Sequence, residues 1–479
     1  MKAKAAVPAV LLCVLLATAT PAAASANSGP AYWESAPSFS VTPLRDCPVA
    51  VDREDLSFDF SKNKQRDYSP SADVTAAYRM SNPTGQAVRV QMAFPLIAKL
   101  PDVAPKETDP GMTPPVGSTL AVSVGGKNVP FEILPGGAMP EAGLTQNYGM
   151  ESGGRPKTAL PGFDQILKSV SAATPKRKIV TGSGRRYDVT VEQGGGVQVR
   201  TSGKGEYLLS RGFNGMSSEG SSVTLISNGL KKGESVSVLA LGSPSGGEPD
   251  ITPLTSDGKP EPSGKLSVRK TDCSADDYVR EMLKGNGSCR ADRTENLLPR
   301  LASSAEDSME SFFAAGNHAF GESNLYDFLQ QERLVVLCFE AEFPAGGTRA
   351  VTVRYAMSGS MDERKTREPV YSYAYFLNPA KGWADFRDLN IRIVPPAEAP
   401  NLVASSFPFA KSSDGVYTLS MPSLPQNDLT FSLYKTSKVE PKSSPSRGTA
   451  FLLLGIAAAA AVCFAVFFCR RHKKAAPPA

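Results

Sequence analysis

The sequence predicts a mainly β ectodomain, built of β-sandwich-like domains with short helical insertions, followed by one C-terminal transmembrane helix. Three observations predict it. Residues 450–469 form a twenty-residue uncharged run, and Arg470, Arg471, His472, Lys473 and Lys474 follow at once. Lys2 and Lys4 precede an apolar segment that leads to the small residues Ala24-Ser25-Ala26. Between these ends, short stretches rich in Val, Ile, Tyr and Phe alternate with Gly- and Pro-containing turns, which is the pattern of strands.

Twenty helical residues at about 1.5 Å each cross the roughly 30 Å hydrocarbon core of a bilayer, and a helix satisfies its own backbone there. Arg470, Arg471, Lys473 and Lys474 set the orientation, because flanking cations stay on the cytoplasmic side. The tail 470–479 is therefore expected inside and the bulk of the chain outside, with membrane lipids as one partner. At the other end, 1–26 reads as a signal peptide, cleaved after Ala26 with Ala24 as the neighbouring alternative.

The formal charge of +5 comes from these ends. Two basic residues belong to the signal peptide and four to the tail, which leaves 46 Lys plus Arg against 47 Asp plus Glu, a net charge of −1. A nearly neutral ectodomain offers no general field for nucleic acid, and none is expected as a partner. Of seven cysteines, Cys47, Cys273, Cys289 and Cys338 lie outside the two apolar ends. An oxidising compartment permits disulfides; Cys273 with Cys289 is a local candidate and Cys47 with Cys338 a long-range one, while Cys338 could equally be a buried thiol.

Along the chain, 27–46 is expected as a flexible leader and 47–242 as a first β-rich domain. Leu56–Phe60 and Val74–Met80 read as strands, and Asn82-Pro83-Thr84-Gly85 as a turn into Val88–Phe94, which together predict a hairpin. A short hairpin is expected around Gly125-Gly126, and two helical turns over Phe163–Val170. Strands resume at Tyr187–Val191, Val197–Val199, Tyr207–Leu209, Val223–Ile226 and Val236–Leu241. Residues 243–264, rich in Gly, Pro, Ser and Asp, read as a linker or long loop.

A second β-rich domain with a helical insertion is expected over 265–435. Ser274–Leu283 and Ser303–Phe313 have helical potential, the latter with Ser304 and Asp307 as a capping pattern. Leu334–Phe343 and Ala350–Tyr355, joined by Pro344-Ala345-Gly346-Gly347, predict a further hairpin. Val370–Leu377, Leu389–Val394, Tyr417–Met421 and Leu429–Tyr434 complete the strands, and 436–449 forms a juxtamembrane spacer.

No catalytic, cofactor-binding or metal-binding set emerges. His318 is the one histidine outside the tail, in a context without a nucleophile elbow. The glycine runs at 182–184 and 194–196 lack the spacing of a phosphate loop, and the acids Asp272, Asp276, Asp277, Glu306, Asp307 and Glu310 match neither a calcium loop nor a glycosidase pair. Tyr371, Tyr373 and Tyr375 share one strand face, and with Trp383 could form an aromatic binding surface. Period two establishes facing rather than ligand binding, and rings filling the space between sheets are the favoured alternative.

The stretch Val74–Pro95, with Tyr78, Asn82 and Phe94-Pro95, and the stretch Val351–Pro395, with Tyr355, Tyr373, Trp383 and Ile391–Pro395, resemble uncharacterised bacterial membrane-anchored cell-surface proteins with β-sandwich ectodomains. The resemblance implies a cell-surface location and sheet architecture, and it transfers no active site. The expected function is noncatalytic binding of a protein or cell-envelope component. An acidic-residue glycan or peptidoglycan hydrolase, and an extracytoplasmic sensory or assembly subunit, are the alternatives.

Overall fold

The structure is a computed structural model that describes residues 24–33, 41–61, 69–103, 120–138, 161–170, 182–201, 207–220, 222–242, 247–285, 291–331 and 333–442. It is mainly β. The chain opens with β1 (Ala24–Ala26), β2 (Gly29–Trp33) and β3 (Val41–Pro43), then the long strands β4 (Ala50–Asp59), β5 (Ser71–Ser81) and β6 (Val88–Ala98). After the turn α1 (Leu100–Val103) come β7 (Ala121–Val124), β8 (Lys127–Asn128), β9 (Glu132–Ala138) and α2 (Phe163–Val170). A second group follows: β10 (Ser183–Gln193), β11 (Gly196–Thr201), β12 (Tyr207–Arg211), β13 (Gly215–Glu219), β14 (Ser222–Asn228), β15 (Ser235–Leu241), β16 (Asp250–Leu254) and β17 (Lys265–Ser274). Helices α3 (Ala275–Gly285) and α4 (Ala291–Ala314) precede β18 (Ala319–Phe320) and α5 (Glu322–Gln330). The last group is β19 (Arg333–Phe343), β20 (Thr348–Ser358), β21 (Ser360–Asp362), β22 (Val370–Phe376), β23 (Arg387–Val394), β24 (Asn401–Ser405), β25 (Ala410–Lys411), β26 (Tyr417–Ser423) and β27 (Leu429–Tyr434).

Two large sheets, ordered β24-β27-β22-β1-β6-β19-β9 and β25-β26-β23-β4-β5-β20-β7-β8, face each other across one core. Phe58 of β4 meets Tyr375 of β22 and Phe431 of β27 edge-on, with ring centroids 5.7 and 5.3 Å apart, and Phe94 of β6 meets Tyr355 of β20 at 5.5 Å. The outer face of the first sheet is covered by α2, whose Phe163, Ile166, Leu167 and Val170 pack on Ile97, Leu334 and Val336. Two smaller sheets, β17-β10-β15-β12-β18 and β13-β14-β11-β16, enclose Tyr187, Val199, Leu208, Leu225 and Val238. The other face of the first of these lies under α3 to α5, where Leu209, Leu239 and Leu241 join Tyr278, Val279 and Met282.

Strand pairing crosses the expected divisions of the chain. β19 pairs antiparallel with β6 from Arg333↔Ala98 to Phe343↔Val88, and β20 with β5 from Thr348↔Ser81 to Ser358↔Ser71. Residues expected in separate domains, 47–242 and 265–435, thus build the same two sheets. The expected linker 243–264 contains β16, which pairs with β11, while β17 pairs with β10. The expected leader is also structured: β2 pairs with β6 and β3, and Asn27, Ser28, Ala31 and Val41 are buried.

Both of the longer expected hairpins are arches between sheets. β5 belongs to the second large sheet and β6 to the first, and the same holds for β20 and β19. The two arches stack: Asn82 N donates to Gly347 O at 3.0 Å and Gly346 N to Thr84 O at 2.8 Å. Asn82 itself is buried, and its side-chain amide donates to Gln86 O, Phe343 O and Pro344 O. An Asn-Pro-x-Gly turn reverses the chain whether or not the flanking strands pair, so local turn chemistry does not distinguish hairpin from arch. By contrast, Gly125 and Gly126 sit at φ 60° and 77° in a true two-residue hairpin joining β7 and β8, where both central residues must be left-handed.

Helix α3 starts as expected, with Ser274 Oγ accepting from Asp277 N at 3.1 Å as an N-cap. Helix α4 begins at Ala291 and carries Ser304 and Asp307 in its interior, so the expected start at Ser303 is displaced. The expected membrane helix 450–469 and residues 1–23 lie outside the described residues. Among the described residues no helix is long and apolar enough to cross a membrane.

Candidate functional site

A polar concavity lies on the smaller β unit. A cleft of about 530 Å3 is lined by Arg186, Asp188 and Thr190 of β10, Arg211 of β12, Ser235 and Ser237 of β15, Arg269 of β17 and Glu322 of α5. Period two on β10 turns Arg186, Asp188 and Thr190 to one side while Tyr187 and Val189 enter the cores. Asp188 is the hub, 2.8 Å from Arg186 Nε and 2.9 Å from an Arg269 amino nitrogen. Arg186 also donates to Glu281 at 2.8 Å and lies over the Tyr278 ring. Burial alone would raise the Asp188 carboxyl, but the bonds from Arg186 and Arg269 outweigh it and hold it below the ordinary carboxylate range. Arg211 reaches Glu281 and Glu322 only at 3.8 and 3.9 Å, and Glu322 accepts from Gly212 N at 2.9 Å. Fixed guanidinium–carboxylate pairs beside hydroxyls suit recognition of a polar, hydrogen-bonding group.

A second polar cluster is wholly interior. Glu54 of β4 is fully buried between the two large sheets, and Asn27 Nδ2 donates to its Oε2 at 2.7 Å. The Asn27 side-chain carbonyl accepts from the Tyr78 hydroxyl and from Ser28 N. Tyr78 and Tyr375 border the Glu54 carboxyl, while Glu54 Oε1, Tyr375 Oη and Ser28 Oγ have no hydrogen-bond partner among the described residues. Burial pushes the Glu54 carboxyl up to about 8, against the weaker opposing pull of Asn27, Tyr78 and Tyr375. The N-terminal segment is pinned beside it: Asn27 N donates to Phe376 O, and Trp383 Nε1 to Ser28 O at 2.9 Å. A Cβ on Gly29 would lie 2.5 Å from Pro379 O and 2.7 Å from the Phe163 ring, so this approach requires glycine.

Sequence reasoning passed over Glu54, although a signal was present. Glu54, Leu56 and Phe58 of β4, with Phe60 just beyond its end, share one inward parity, which places a carboxyl on an apolar face. The aromatic residues fare differently from a binding surface. Tyr371, Tyr373, Tyr375 and Trp383 are all buried, and Tyr373 packs on Phe60 and Phe431. The rings fill the space between the sheets, because the inward face of β22 must meet that of β4.

Of the disulfide candidates, Cys47 and Cys338 do not come together. Cys47 and Cys338 are buried as thiols in different clusters, Cys47 between the large sheets and Cys338 on the α2 side of β19, and no disulfide joins them. Cys273 keeps its thiol, which donates to Ser274 O at 3.3 Å, and Cys289 lies outside the described residues, as do Arg470, Arg471, Lys473 and Lys474. His318 stacks on Tyr207 at 5.8 Å. Among the described residues no group of three His, Cys, Asp or Glu side chains is placed to hold a metal ion.

No protein-family model matches this chain, and no curated protein matches it. Among solved structures it is similar to a proposed nutrient binding protein from Legionella pneumophila, at 9% identity and a TM-score of 0.33, over 87% of this chain and 73% of that one. A likeness at that TM-score carries neither the fold nor the function of the one protein to the other.

Proposed function

We propose that this chain is a noncatalytic, single-pass surface protein whose β-sandwich-like ectodomain binds a protein or cell-envelope component close to the outer membrane face. The observation that carries the reading is the way the body ends. Lys442 N donates to Lys365 O at 2.9 Å and Arg367 N to Glu440 O at 2.8 Å, so the chain stays fastened to the β21–β22 connection up to its last described residue. Residues 443–449 then separate it from the uncharged run 450–469, a reach of at most roughly 25 Å when fully extended. With that run in the bilayer, the body rides close to the lipid headgroups, and its partners lie at the same surface. The polar cleft at Asp188 is the proposed contact point, because its paired charges and hydroxyls match a polar ligand better than an apolar one.

Proximity labelling from the full chain on intact cells, followed by direct binding of the recovered candidates, tests this. The expected result is a surface protein or envelope polymer that binds saturably and is not consumed, with binding weakened by Arg269→Glu. Turnover of an envelope glycan by the purified protein would overturn the reading, and so would labelling confined to cytoplasmic proteins.

A further inference from the structure

We propose that cleavage between Ala26 and Asn27 creates an α-ammonium that pairs, inside the fold, with the Glu54 carboxylate. The inference rests on the export reading above and deepens it: processing then completes the interior as well as releasing the chain. In the cut, water adds across the Ala26–Asn27 amide. The C–N bond breaks, the hydroxyl goes to the Ala26 carbonyl to give a carboxylate, and the nitrogen ends as an ammonium after taking up protons.

Three features of the cluster meet this group. Glu54 is fully buried, yet the groups that face it are Asn27, Tyr78 from β5, Tyr375 from β22 and, on its own strand, Asp55; Tyr355 from β20 lies against the same tyrosines. None of these is a cation, and a buried carboxylate without one is costly. The side chain already touching Glu54 belongs to Asn27, the residue that would carry the new charge. One chain residue therefore spans from carboxylate to ammonium. The amide nitrogen has one hydrogen, committed to Phe376 O. An ammonium keeps that bond and adds two donors, in a cluster where Glu54 Oε1, Tyr375 Oη and Ser28 Oγ lack partners among the described residues.

The cut also removes β1, which pairs parallel with β22 at Ala24↔Ala374 to Ala26↔Phe376 and antiparallel with β6 at Ser25↔Leu96. Those bonds link the two halves of the first large sheet. On this proposal the new chain end stays in place after β1 is lost, held by Glu54 of β4 in the facing sheet and by Phe376 O of β22.

The test uses full-length protein purified from its own membrane. N-terminal sequencing is expected to begin at Asn27. Acetylation of the α-amine at pH 6, well below its ordinary pKa of roughly 7.7–8.0, is expected to be about tenfold or more slower in native than in urea-unfolded protein, since there each unit of pKa rise removes about tenfold of the reactive neutral amine, and Glu54→Gln is expected to restore the reactivity. Because burial alone could slow the reagent, the α-amine pKa is also read by NMR after isotopic methylation; it is expected to lie above the ordinary range and to fall in Glu54→Gln. A start at Ala26 or earlier in the signal peptide would overturn this proposal and leave export intact, whereas an uncut Met1 would overturn the export reading itself. Equal reactivity before and after unfolding, or an α-amine pKa unmoved by Glu54→Gln, would also overturn it.

Discussion

Replacing Phe58 and Phe431 by leucine, singly and together, measures whether the two ends of the chain share one core. Phe58 lies on β4 and Phe431 on β27; both are fully buried, and their rings meet at 5.3 Å and 67°. Leucine keeps most of the volume and removes the ring, so each single change should cost about 1–2 kcal/mol. Edge-to-face contact adds roughly 0.5–1.5 kcal/mol beyond burial, and the double mutant should fall short of additivity by about that amount. Urea unfolding of the protein, followed by far-UV circular dichroism at constant m, reads all four corners of the cycle. Additivity within about 0.3 kcal/mol would refute the packing, since residues on separately folding units do not couple.

Three further outcomes follow from buried charge. In an uncut chain, the Glu54 carboxyl at about 8 lies above its ordinary 4.5, so the folded state holds a proton that the unfolded state releases. Stability is then fully present below the ordinary value and is lost as pH rises through about 8, by on the order of 4–5 kcal/mol at 1.36 kcal/mol per unit. Glu54→Gln should flatten the thermal midpoint across that window, and an unchanged slope would contradict the assignment. Arg333 is fully buried, lies over the Phe328 ring at 4.4 Å and donates to Phe328 O at 2.6 Å; burial pushes it down to about 10, with no carboxylate contributing among the described residues. Arg333→Met should therefore be neutral within about 1 kcal/mol or stabilising in urea, whereas a loss above about 3 kcal/mol would reveal an ion pair. Asp188 has the opposite sign: its lowered carboxyl contributes stability above 3.8 that disappears as pH falls. Asp188→Asn should cost about 1–3 kcal/mol at neutral pH and reduce acid sensitivity, and an unchanged acid midpoint would contradict it.

Where elements lie was legible; what they pair with was not. The expected strand Leu429–Tyr434 and helix Phe163–Val170 coincide with β27 and α2, because β-rich runs and a 3.6-residue apolar face are local properties. β6 and β5 each have a partner, β19 and β20, more than 200 residues away, and alternation shows which side chains face inward without naming the opposing sheet. The arch at Asn82 is the instructive case: its turn residues are visible, but the carbonyls it caps at Phe343 and Pro344 belong to another arch. Asp188 was illegible for a similar reason, since Arg186 is near in sequence while Arg269 and the helix residue Glu281 are brought by pairing. Glu54 was legible in parity alone, and Asn27, taken for flexible leader, concealed its partner.

Protease treatment of intact cells carrying an epitope after Ala479 tests the central claim most directly. The account predicts that the body is digested from outside while the tagged tail, with Arg470, Arg471, Lys473 and Lys474, stays protected until the membrane is opened. Loss of the tag with the body intact would contradict it, as would release of the whole tagged chain without detergent.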